Sequence, residues 1–204
     1  MKPFFHADNM IFRGISKWMD YVYVSFLWLV FSLPLITAGA AAAALYYTSN
    51  HCLRCDKGYI FRTFWKSFKD SFRQSAVVSV ILAVLLGAIH LDMKLASGKE
   101  TMKVFQIVFI AARFLILMVC VYVYPYIAKY EMKLIQVIKN CVYLSILNVP
   151  WTLLLVFILL AAICLTHIVP WAVLIMPSCV GVFFSLILEQ VFSRYADERR
   201  ERES

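Results

Sequence analysis

The densest group of potential ligands is His51-Cys52-Leu53-Arg54-Cys55-Asp56, which holds four donor side chains within six residues. A closed zinc site normally joins two such half-sites across a folded loop, and no second pair follows. A redox thiol would need a lowered pKa at a helix N-terminus in a thioredoxin-like setting, which is also missing. Two ordinary thiols in a reducing loop is the simpler reading. The positions of Cys52, Cys55, Cys120, Cys141, Cys164 and Cys179 do not resemble a secreted disulfide framework. Neither a metal nor a cofactor is expected.

Arg113 is the one ionisable residue well inside an apolar block. Burying it unpaired would cost about 2.5–3.5 kcal/mol, so it should pair within the protein, line a wet cavity, or snorkel along its aliphatic stem. His90, Asp92, His167 and Glu189 close apolar blocks, where solvated ends are the simpler reading. A proton relay would need such groups at midplane depth. There is no Gly-rich phosphate loop, no HExxH and no GxSxG. With no paired acid and base in the apolar blocks either, an enzyme is not expected.

The elements that must position these residues are set by composition. Of 204 residues, 63% are hydrophobic and 16% charged, against about half and about a quarter in a soluble domain. The excess lies in long blocks, which predicts an all-α, polytopic transmembrane helix bundle of about five spans near 21–47, 74–93, 104–128, 141–165 and 168–190. Residues 1–20 read as an interfacial helix, with Ile11, Ile15, Trp18 and Met19 at helical spacing. Residues 191–204 form a charged C-terminal tail.

Two features distinguish this bundle from a set of plain anchors. The first block contains Pro34, Thr37 and Gly39, so its helix should kink or unwind there. The small residues from Gly39 to Ala44 then allow another helix to approach closely. Ala38-Gly39-Ala40 after an apolar stretch also looks like a signal-peptide cleavage site, but Asp8, Asp20 and Pro34 argue against one. The second feature is the connection at 59–73. Phe61, Phe64, Trp65, Phe68 and Phe72 follow helical steps, with Arg62, Lys66, Lys69 and Arg73 beside them. Such a helix lies in the headgroup plane, aromatic face down, on anionic lipid. Beside a span, membrane is the economical partner and nucleic acid is not expected.

Orientation follows from counting Lys and Arg by side. With five spans, one face holds thirteen basic residues and the other six, while Arg113 lies inside a span. That places the C-terminus in the cytoplasm and the N-terminus outside.

The run Leu33-Pro34, Thr37, Gly39 and Ala44-Leu45-Tyr46-Tyr47, followed by Tyr59 to Lys69, resembles the YesL family of uncharacterised bacterial integral membrane proteins. Tyr124-Pro125, Ala128-Lys129-Tyr130-Glu131, Lys139-Asn140 and Asn148-Val149-Pro150 also look like that family's pattern, so the resemblance covers most of the chain. It implies a multi-pass protein of the bacterial cytoplasmic membrane with no established activity. Genes of that family commonly stand beside binding-protein-dependent carbohydrate importers, which implies an accessory role in carbohydrate (ABC-type) uptake and importer subunits as partners. His51, Cys52 and Cys55 are not part of the pattern. The alternative reading is an autonomous small-solute transporter or channel, with a polar cavity at the Pro34–Gly39 break near Arg113 and Asn148. The candidate functional or partner-binding residues are Pro34, Thr37, Gly39, Tyr46, Tyr47, Arg62, Trp65, Lys66, Lys69, Arg113 and Asn148.

Overall fold

The computed structural model describes residues 4–34, 36–55, 59–96, 103–130 and 132–203, with side chains described for 17–34, 36–55, 59–91, 108–130 and 132–195. Those residues form seven α-helices and no strand. The helices are α1 (Phe4–Ser32), α2 (Ala38–Thr48), α3 (Ile60–Ala96), α4 (Lys103–Lys129), α5 (Leu134–Leu147), α6 (Val149–Ile168) and α7 (Met176–Glu203). A π-helical stretch, Ser49–Arg54, extends α2, and a 3-10 turn, Pro170–Leu174, joins α6 to α7.

The first apolar block does not form one kinked span. It doubles back. Val24 on α1 shares a packed cluster with Leu45 and Leu53, and Leu27 shares one with Ala40, Ala41 and Ala44. In an unreversed helix Val24 and Leu53 would stand about 43 Å apart. The reversal has a local cause. Pro34 disfavours helix at the residue before it and cannot donate a backbone hydrogen bond. The Thr37 hydroxyl then donates to the carbonyls of Phe31 and Pro34, at 2.7 Å each, and the Thr37 N–H donates to Pro34 at 2.9 Å. The Phe31 carbonyl, left open at the end of α1, is thereby satisfied. The expected N-terminal helix at 1–20 is no separate element either, because α1 runs through it from Phe4.

The aromatic–basic stretch and the second span are likewise one element, the 37-residue α3. No proline lies between Ile60 and Ala96, and Gly87 is the lone glycine there, so nothing stops the helix. Packed against one another, α1, α2 and α3 form an antiparallel layer, in which Phe31 of α1 also reaches Phe64 and Phe68 of α3.

The fourth block is split at Asn148 (φ −112°, ψ 45°). Hydrogen bonding carries on across it, since Asn148 N–H donates to Leu144 and Thr152 N–H to Asn148, so α5 and α6 join at a bend. The fifth block starts later than expected. Pro170 forces extended backbone on Val169, and the helix begins at Met176 with Pro177 in its first turn. The helix α7 then continues through the charged tail to Glu203.

Among the described residues, four helical segments are long and apolar enough to cross a membrane: Ile60–Leu91, Val108–Lys129, Val149–Ile168 and Met176–Tyr195. Only a minority of each window is buried, from 11% in Ile60–Leu91 and 17% in Val149–Ile168 to 39% in Met176–Tyr195. A soluble bundle hides its apolar face, whereas lipid is the solvent for this one.

Candidate functional site

The layer is held together by small side chains at close range. On α3, Ser67, Ser71 and Ser75 are buried and Ser79 continues the same four-residue step. Gly39 of α2 lies against Ser79, while Ala40, Ala41 and Ala44 pack on Phe64 and Phe68. Small residues on both helices let their backbones approach, which is how membrane helices associate without a hydrophobic driving force.

Close packing turns the aromatic face of α3 in two directions. Phe64 is fully buried and Phe68 nearly so, but Trp65 is 40% exposed. The Trp65 ring lies 5.5 Å from Phe31, 6.0 Å from Phe68 and 6.5 Å from Phe61, the last pair stacked. The Lys69 ammonium stands 6.0 Å from the Trp65 ring centroid, a cation–π contact. Arg62, Lys66 and Arg73 are exposed alongside. An aromatic ridge fixed from behind and flanked by cations suits a headgroup layer or an acidic protein surface.

A second constellation forms where α2, α4 and α7 meet. Glu189 accepts hydrogen bonds from Lys129 at 2.7 Å and from Asn50 at 2.9 Å, with the Tyr46 hydroxyl at 3.4 Å. Arg54 donates to Asn50 Oδ1 at 3.3 Å and to the Ser185 carbonyl at 3.4 Å. Asn50 and Arg54 both lie in the π-helical stretch, whose wider turn places them together over α7. Glu189 is therefore no plain solvated helix end, as its position in the sequence implied. It is the carboxylate within the fifth apolar block, and Lys129 closes the third; that pairing of opposite charges was the signal available in the sequence.

Next to this hub lies a cavity of about 360 Å3 between α1, α2, α4, α6 and α7. Its wall is almost wholly apolar, built from residues such as Leu45, Val121, Ile163, Val180 and Phe184. The polar cavity expected near the break is not this one, because Pro34, Gly39, Arg113 and Asn148 do not line it.

The remaining candidates take separate places. Pro34 is exposed in the reversal, and Thr37 closes it. Tyr46 reaches the Glu189 hub, whereas Tyr47 faces outwards and stacks on His51 at 5.6 Å. Arg113 is exposed on α4, away from both hub and cavity. Asn148 makes the α5–α6 bend, where Thr152 donates to its carbonyl at 2.9 Å and bonds the Tyr122 hydroxyl at 3.0 Å. Cys52 is buried and Cys55 exposed, while Asp56 lies outside the described residues.

This arrangement of outward-facing apolar helices defines an integral, multi-pass membrane protein. Residues 21–93 match a family described as a protein of unknown function, DUF624. The matched segment runs from the apolar half of α1 through the reversal and α2 into most of α3, so it covers the layer and its aromatic–basic face. No curated protein and no solved structure matches the chain.

Proposed function

We propose that this chain is a non-enzymatic accessory protein of the bacterial cytoplasmic membrane that acts through a partner, an importer of carbohydrates. The observation that carries the partner role is the Trp65 ridge: aromatic rings braced from behind, exposed in front and edged with cations. A ring held in place loses little entropy on binding, and Trp and Arg are the residue types that anchor interfaces. The carbohydrate link rests on the YesL-like motifs. The match at 21–93, to a family of unknown function, is consistent with an uncharacterised group of proteins.

The reversal changes the reading of orientation. Because α1 and α2 return to one end, the N-terminal segment and the 48–73 connection share a side. With four further crossings, sixteen basic residues of the sequence would fall on one face and three on the other, with Arg113 in a span. Both termini are then cytoplasmic, and the Trp65 ridge meets the anionic inner leaflet. An apolar cavity offers a polar solute few hydrogen bonds, which weighs against an autonomous solute path.

Affinity purification in mild detergent, from cells growing on a glycan, tests this reading. An importer membrane subunit should be recovered with the wild-type chain and lost with Trp65→Ala. Recovery of the chain alone under those conditions counts against the partner role.

A further inference from the structure

On α4, Leu117, Val121 and Pro125 line the apolar cavity, and on α7 Met176, Val180 and Phe184 line it too. Each of these stretches covers about 12 Å of helix, so the cavity is long in one direction. Both helices lead towards the same end of it. One turn past Pro125 comes Lys129, and shortly past Phe184 comes Glu189, paired with Lys129 at 2.7 Å. Tyr46 belongs to both features, its ring on the cavity wall and its hydroxyl in the hub.

The cavity wall presents almost nothing polar. Tyr124 bonds Ser79, Thr166 donates to the Ile163 carbonyl, and Tyr46 is taken by Glu189, while the Nε1 of Trp28 is buried without a hydrogen-bond partner. Water in such a space makes too few hydrogen bonds to stay. Left empty, the wall forfeits dispersion contacts along its whole length. A row of methylene groups restores them, and in a bilayer that is the surrounding solvent.

Among the described residues that meet at the hub, two cations, Lys129 and Arg54, stand against one carboxylate, Glu189. Glu189 neutralises Lys129, but Arg54 bonds two neutral oxygens and is exposed. One of those oxygens belongs to Ser185, the neighbour of the cavity-lining Phe184. We propose that the cavity holds one acyl chain of an anionic glycerophospholipid, whose phosphate is received at Arg54. The site is independent of the Trp65 ridge and of the partner role.

Native mass spectrometry of the full chain tests the proposal, after delipidation in detergent and exposure to vesicles of phosphatidylglycerol or phosphatidylcholine. The wild type should retain one phosphatidylglycerol and prefer it about fivefold, the change expected from one cation at an anionic surface. Arg54→Gln, at an exposed position, should keep a lipid bound but lose the preference. Ala162→Phe should fill the cavity and abolish retention, and Ala42→Leu narrows it from the α2 side should the first variant fail to fold. Equal retention of both lipids by the wild type overturns the headgroup assignment. Unchanged retention in a folded cavity variant means annular lipid only and overturns the site.

Discussion

The backbone of Gly39 lies directly against the ring of Tyr124, so that a Cβ at position 39 would overlap Cε1 of that ring and Oγ of Ser79. Three helices meet there, and the Tyr124 and Ser79 hydroxyls are hydrogen-bonded at 3.2 Å. Gly39→Ala should cost about 1–3 kcal/mol through overpacking. The check is the thermal midpoint in detergent, followed by size-exclusion chromatography. Adding Ser79→Ala should recover part of the loss, since the Tyr124 ring still stands in the way.

That contact shows what could be read in the sequence and what could not. Pro34, Thr37 and Gly39 marked a break in the first block, and the small residues after it marked a close helix contact; both are present. The direction of the chain after the break was not legible. A kink and a reversal use the same residue types, and the choice depends on α3 offering its serine stripe to α2. The Glu189 hub was hidden for a similar reason. Tyr46, Asn50, Lys129 and Glu189 are far apart in the chain, and no local periodicity connects them. The outward-facing apolar helices, by contrast, follow from composition alone.

The reversal predicts a cross-link. Val24→Cys and Leu45→Cys, in a chain whose native cysteines are replaced by Ser or Ala, should form a disulfide on mild oxidation or react with a short bifunctional reagent. A single crossing would hold these positions about 31 Å apart and give no product. Reduced and cross-linked forms separate by electrophoretic mobility.

At the hub, Glu189→Gln and Glu189→Ala should differ. The amide keeps an acceptor for Asn50 and loses the Lys129 ion pair, a change of about 1 kcal/mol for a partly exposed pair. The alanine also strands Asn50 and Tyr46, raising the cost to about 2–3 kcal/mol. A double-mutant cycle with Lys129→Met isolates the ionic part.

On α3, neighbouring aromatic residues should separate stability from binding. Phe64→Ala empties a fully buried position and should destabilise the chain by about 3–5 kcal/mol. Trp65→Ala, at a position 40% exposed, should leave the thermal midpoint within a few degrees and still remove partner capture. Changing Arg62, Lys66 and Lys69 to Gln in the bilayer-inserted protein should weaken its preference for anionic over zwitterionic lipid by about 1 kcal/mol for each cation.

The partner role of the Trp65 ridge is tested most directly by photocross-linking in living cells. A benzophenone amino acid at position 61, where Phe61 is 51% exposed and stacks on Trp65, should yield one discrete adduct containing an importer membrane subunit. The same probe at Val84, exposed on the lipid-facing part of α3, should not give that adduct. Lipid adducts alone at both positions, in cells growing on the glycan, would contradict the account.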